Sequence, residues 1–167
     1  NSYAEFLVSL GGALWAARLG LLAAFILHVV FSIKLTKANM SARGVGYREK
    51  KFQAASSSSR HMAFYGMLLL IFIAIHLLHL TFGVLEPEHY ALVDAQGRKD
   101  VFSMTVLGFQ NIAYSTTYIV LLIALGAHLS HGIQSVFQTL GFFHNKFTPC
   151  IRSASLAIGW LIALGYI

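Results

Sequence analysis

Between Gly11 and Ile33 the chain carries one formally charged residue, Arg18, among side chains that are otherwise apolar, small or neutral. A helix of that length crosses the roughly 30 Å hydrocarbon core of a bilayer, and hydrocarbon tolerates only backbone that satisfies its own hydrogen bonds. Three further stretches read the same way: about His61 to Val84, a span somewhere between Val101 and Phe143, and one from Ser153 onward. Charged residues make up 11% of the chain, less than half of the about 25% usual in a soluble domain. The expectation is an all-α transmembrane helix bundle, four spans in one domain over residues 1–167, with the lipid bilayer as its first partner. No cleavable signal peptide is visible, and the segment is expected to belong to a longer polypeptide.

The loops orient the spans. Lys34 to Arg60 holds Lys34, Lys37, Arg43, Arg48, Lys50, Lys51 and Arg60, more than half of the 12 basic residues. Short loops dense in Lys and Arg stay on the cytoplasmic side, so this loop is read as inside. Leu85 to Asp100 carries Glu86, Pro87, Glu88, Asp94 and Asp100 against Arg98 and Lys99, which suits the outer face. Gln110, Asn111 and Ser115 to Thr117 put the first turns of the third span at the outer interface. Lys146 and Arg152 mark a second inner loop. The serine run Ser56 to Ser59 can cap the helix after it, and Thr148 reads as a cap with Pro149 at the first turn. The net charge of +6 therefore belongs to topology, and no nucleic-acid partner is expected. The one cysteine, Cys150, excludes an internal disulfide framework and any multi-cysteine iron–sulfur or zinc site.

Each of the first three spans also contains histidine: His28 in the first, His76 and His79 in the second, His128 and His131 in the third. An imidazole in hydrocarbon is costly and is expected to face the bundle interior, where something must satisfy it. Three spans sharing this feature suggest a shared ligand. Haem iron leads the candidates, because neutral imidazole ligates it well. Around His28 the helical neighbours Ala17, Gly20, Leu21, Ala24 and Ser32 are mostly small; they suit close helix packing or, as favoured here, a groove for a flat macrocycle. At about 1.5 Å per residue, His28 lies roughly 9 Å from Lys34, whereas His76 lies roughly 24 Å from Arg60. The two should not share one iron, so two haems at different depths follow if His128 partners either.

At these residues the sequence resembles a family. The run His28-Val-Val-Phe, the spacing from Arg60 to His76, His76-Leu-Leu-His-Leu-Thr-Phe-Gly and His128-Leu-Ser-His-Gly-Ile-Gln-Ser-Val-Phe-Gln-Thr-Leu-Gly look like the single-chain, di-haem cytochrome b membrane anchor of succinate:quinone oxidoreductases and fumarate reductases. Asn1-Ser-Tyr-Ala-Glu-Phe-Leu is similar to that family's loop after its first helix. The resemblance implies five membrane helices, the first of them, with a ligand histidine, preceding Asn1. It implies two b haems, menaquinone as the quinone, and docking of a flavoprotein and an iron–sulfur subunit on the inner face of a bacterial cytoplasmic membrane, with higher oligomers of the complex open. Carried over by position, His28 and His128 bind the inner haem and His76 the outer one. Succinate would be oxidised by the flavoprotein, and this chain would pass electrons onward as a subunit of the tricarboxylic acid cycle enzyme, with no catalytic residue of its own.

Weaker expectations surround these ligands. His79 and His131, each one turn from a ligand, are read as hydrogen-bonding to propionates, backbone or water. Arg60 and His61 start a helix on the inner side, where they could meet inner-haem propionates or simply solvent. Arg18, early in the first span, and Glu5, the only acidic residue before it, are read as an outer quinone pocket; Arg18 serves a propionate equally well. Two other classes stay open: a cytochrome b subunit of a hydrogenase or formate dehydrogenase, and a small proton-coupled transporter using its histidines as a relay. The basic inner loop faces the docking side, and complementary charge favours such encounters. Reversing the charges of Arg48, Lys50 and Lys51 is expected to weaken assembly with the hydrophilic subunits and to change its salt dependence. Unchanged co-purification across a salt series would leave the loop with topology alone.

Overall fold

The computed structural model describes residues 1–42, 57–142 and 144–167. The basic residues Arg43, Arg48, Lys50 and Lys51, and Ser56 of the serine run, lie outside them. Among the described residues every regular element is helical, and one isolated antiparallel bridge joins Val93 to Lys99. The all-α expectation holds. The chain divides into two compact units, Asn1–Gln53 with Leu92–Phe102, and Ala54–Ala91 with Ser103–Ile167.

The first unit contains α1 (Ser2–Ser9) and α2 (Gly12–Ser41). They are separated at Gly11, whose φ of 50° is a left-handed conformation that glycine adopts without Cβ strain. α2 has 30 residues and a mean hydropathy of 2.0 over its most apolar window, longer than the span read from Gly11 to Ile33. Leu19, Leu22, Ile26, Leu27 and Phe31 are all exposed along it, as helix surface facing lipid must be. Beneath α1 the loop 92–102 is held by side-chain bonds. The Asn1 amide donates to the Asp94 and Asp100 carboxylates at 3.1 and 3.0 Å, and its carbonyl accepts from the Phe102 N–H at 3.2 Å.

The second unit contains α3 (Ser57–Arg60), α4 (Met62–His76), a π-helical turn (Leu77–Thr81), α5 (Pro87–Tyr90), α6 (Val101–Gln110, from Ser103), α7 (Ile112–Thr139) and α8 (Thr148–Leu164). Two capping expectations are corrected. Ser57, Ser58 and Ser59 form a helical turn themselves, and His61 sits at the N-cap of α4 with its Nδ1 against the Ser57 carbonyl at 2.8 Å. Phe147, not Thr148, precedes α8; Thr148 opens the helix and its hydroxyl accepts from the His144 N–H at 3.0 Å. The long third interval resolves into two helices. Asn111 ends α6 and caps α7, its side-chain carbonyl accepting from the Ala113 N–H at 3.0 Å, as an N-cap asparagine does.

Among the described residues three helices are long and apolar enough to cross a membrane: Gly12–Ser41, Met62–Thr81 and Ile112–Thr139. Of the four expected spans, α8 is the short one, an apolar helix of 17 residues. It packs along α7 through small side chains. Ser155, Gly159 and Ala163 recur every four residues on α8, and Ser155 and Ala163 are 1% and 0% exposed. Gly126 and Ser130 line the facing surface of α7. Apolar helices in lipid gain little from hiding Leu from Leu, so close backbone approach over small residues, with its dispersion contacts, is what holds them. Gly126 meets Trp160 and Ala163 while Ser130 meets Gly159, so α7 and α8 run antiparallel. Gly66 meets His128 and Phe72 meets Tyr118, so α4 and α7 do too.

A Cβ built on Gly159 would lie 2.5 Å from Ser130 Oγ and 2.7 Å from its backbone nitrogen. Backbone cannot swing aside as a side chain can. Gly159→Ala is therefore expected to destabilise the α7–α8 pair by about 1–3 kcal/mol, the usual range for overpacking. Gly132→Ala, where a Cβ meets nothing within 4 Å, should leave stability unchanged or raised. Denaturation in detergent of both variants beside the wild type reads the difference.

Candidate functional site

The most enclosed polar side chain of the histidine-bearing helices is His79, 2% exposed. It lies inside the π-helical turn Leu77–Thr81. A π turn inserts an extra residue per turn and re-aims the side chains around it, and such turns recur at functional sites. Here His79 is carried into a cage of rings from α6 and α7. The imidazole stacks on Tyr114 at 4.5 Å and 21°, and meets Tyr118 and Phe109 edge-on at 5.7 and 5.9 Å. Its Nδ1 is 3.2 Å from the Tyr118 hydroxyl. On the other side Nε2 faces Gly108, where a Cβ would come within 2.9 Å of it. Gly108 is thus a seat for the imidazole edge, and any side chain there would displace it.

His79 therefore hydrogen-bonds to a phenol, a partner that its sequence neighbourhood does not contain. Tyr114, Tyr118, Phe109 and Gly108 escaped the sequence reading altogether. Tyr114 and Tyr118 are four apart at the polar start of α7, the spacing that puts two rings on one helix face. That signal was present. Only the fold says that His79 is what the face meets.

His76, one turn earlier, is exposed on α4, with the rings of Phe72 and Tyr118 beside it at 5.9 and 6.3 Å. His128 is half-buried on α7 with its Nδ1 shielded from solvent, and its Cε1 is 3.8 Å from where a Cβ on Gly66 would stand. His131 is half-buried too, and its Nε2 pairs within the helix with the Ser135 hydroxyl at 3.1 Å. His28 is exposed on α2 in the first unit. Arg60 and His61 are exposed at the start of the α3–α4 segment.

Arg18 and Glu5 each have a charged or aromatic neighbour. The Arg18 guanidinium lies 5.2 Å from the Trp15 ring, a cation–π contact on an exposed helix surface. Glu5 takes an ion pair from Arg98 at 3.3 Å. Arg98 in turn grips Asp94 through Nε and Nη2 at 2.9 and 2.8 Å. Asp94 also accepts the backbone N–H groups of Gln96 and Arg98.

As haem ligands the imidazoles fit by type and surroundings. His28, His76 and His128 are borne by apolar membrane-length helices, and the missing side chain of Gly66 leaves room beside the His128 ring. His131 has Nε2 engaged by the Ser135 hydroxyl, and His79 has Nε2 closed in against Gly108 on a ring that is 2% exposed, which leaves His76 and His128 the more open donors of each pair. Among the described residues no three of His, Cys, Asp and Glu gather as ligands of a bare metal ion would. Comparison with known proteins adds no neighbour: no family model, no curated protein and no solved structure matches the chain.

The Arg98 side-chain hydrogen bond, ahead of the backbone N–H groups and Asn1, holds the Asp94 carboxyl far below the usual carboxylate range. A depressed carboxylate stabilises the fold above its unfolded pKa, about 3.9 for Asp, and loses that effect only as pH falls through the depressed folded value. Amide protection over 94–98 should accordingly persist from neutral pH down to about pH 4 in hydrogen-exchange measurements. Asp94→Asn should lose it at neutral pH and speed tryptic cleavage after Arg98 and Lys99.

Proposed function

We propose that this chain is a haem b-binding membrane anchor of a succinate:quinone oxidoreductase, carrying electrons between an iron–sulfur subunit and a quinone. The observation that carries the reading is the distribution of imidazoles. Among the described residues, the three helices long and apolar enough to cross a membrane each bear histidine within the apolar run, at His28, at His76 and His79, and at His128 and His131. Proton relays use isolated intramembrane histidines as well. Paired motifs with small residues beside them, together with the family resemblance of the runs at His28, His76 and His128, favour haem.

In this reading His28 and His128 serve one haem and His76 is a ligand of the other. The haems, when bound, supply one-electron transfer. The protein's part is ligation, burial and the hydrogen bonds around the ligands, which together set potential. Phe72 and Tyr118 fix the plane and tilt of the His76 ring by packing against it. His131, tied to Ser135, stiffens the turn that follows His128. In this reading succinate is oxidised by a flavoprotein that docks from the aqueous side, with menaquinone as the electron partner. The membrane is a bacterial inner membrane in this reading, with the basic loop cytoplasmic.

A reduced-minus-oxidised spectrum of the purified complex should show b-type bands that develop on adding succinate. His28→Ala and His128→Ala should each remove the same spectral component, and His76→Ala a different one. Loss of one and the same haem in His28→Ala and His76→Ala would overturn the two-haem assignment. Absence of b-type bands would move the chain to the transporter class, and hydrogenase-type partners would move it to that family of cytochromes.

A further inference from the structure

α1 has 8 residues, too few to cross a membrane, yet it presents large apolar side chains at its surface. Tyr3, Phe6 and Leu10 are between 41% and 72% exposed. With Leu7, half-buried between them, they recur at i, i+3, i+4 and i+7, the spacing of one apolar helix face. Ser2, Glu5 and Ser9 make up the polar face, and the loop 92–102 holds α1 by that side. Arg98 Nη1 donates to the Ser2 hydroxyl at 3.4 Å and to the Glu5 carboxylate at 3.3 Å. The aqueous loop thus engages the polar residues and leaves the aromatic stripe uncovered.

What α1 is joined to decides what covers that stripe. Leu10 and Gly11 alone separate it from α2, whose length and hydropathy suit a membrane span. The lipid-facing surface of α2 begins in its first turn, where Trp15 is exposed with the Arg18 guanidinium over its ring. Tryptophan gathers at the membrane–water boundary, and a long cationic side chain near a helix end reaches back to it. α1 is therefore continuous with the boundary itself. The positive φ of Gly11 breaks the helix there, so that α1 need not follow the axis of α2. We infer that α1 is an interfacial helix, lying on the bilayer where α2 enters it. Tyr3, Phe6, Leu7 and Leu10 sit in the headgroup–acyl boundary, about 5–10 Å deep as such helices do, and Ser2, Glu5 and Ser9 face water. The occupant of the stripe is lipid. Through Asn1 and Arg98 the same helix holds the loop 92–102 to the membrane surface. The placement is independent of haem and of succinate.

Nitroxide labels on single cysteines read this placement in the full chain, reconstituted into liposomes of phosphatidylethanolamine and phosphatidylglycerol. The exposed thiol of Cys150 is first removed as Cys150→Ser. Power-saturation EPR then compares collisions with oxygen, which partitions into lipid, and with a water-soluble nickel chelate. At Tyr3→Cys, Phe6→Cys and Leu10→Cys the oxygen-to-nickel ratio should be several-fold higher than at Val8→Cys and Ser9→Cys, on the other flank of the helix. All of these positions are exposed, so the labels replace no packed side chain. Val8 is the telling control, because it is as apolar as the stripe: a helix immersed in hydrocarbon gives high ratios at Val8 and Ser9 too. Nickel-accessible labels at every position put α1 in water. Stripe labels shielded from both reagents put protein over the face, a second copy or another segment. Any of these three results would overturn the interfacial helix.

Discussion

A polar side chain inside an apolar helix must find its partner within the protein, and much of this structure follows from that requirement. Hydrocarbon offers no water to share, so each buried donor or acceptor without a partner costs several kcal/mol by general estimates. Among the described residues the case is clearest at His79, which is met by a phenol from α7 on one side and the bare backbone of Gly108 on the other. The π-helical turn is the local device that makes the meeting possible. It changes the helix register over Leu77–Thr81 so that His79 turns inward while His76, three residues earlier, stays at the surface.

The bundle around this point is held differently from a soluble core. Few large side chains are buried, and the closest packing joins α7 to α8 along Gly126, Ser130, Ser155, Gly159 and Ala163. Serine in such a seam satisfies itself within its own helix. Ser130 donates to the Gly126 carbonyl at 2.6 Å and Ser155 to the Ile151 carbonyl at 2.7 Å. The seam therefore leaves no polar group waiting for a ligand. It works as a hinge-free brace that keeps α7, and with it Tyr114, Tyr118 and His128, at a fixed height.

The aqueous loops contribute rigidity of a third kind. Asn1, Glu5, Asp94 and Arg98 form a network that ties α1 to the loop 92–102. Glu5 pairs with Arg98 in this network, while Arg18 lies over the Trp15 ring. In the second unit Glu86 and His89 form a smaller pair beside the His79 cage. Acidic loop residues that charge counting assigns only to a side of the membrane thus have specific partners, Asp94 in Arg98 and Glu86 in His89.

The all-helical class and the approximate spans were legible in the sequence, because a charge-poor apolar run in lipid has few backbone solutions. The histidines were legible as exceptions within those runs, since a polar residue stands out by composition alone. Cap positions were less so: Ser57 to Ser59 and Thr148 carry capping chemistry, yet His61 and Phe147 occupy the cap sites, where helix phase rather than residue type decides. What the tertiary structure alone decided is the company each histidine keeps. Whether His79 or His76 is enclosed depends on an extra residue of helical register and on a glycine in a different helix, and neither follows from local propensity. Spacing along one helix fixes which face a side chain occupies; only packing fixes what that face meets.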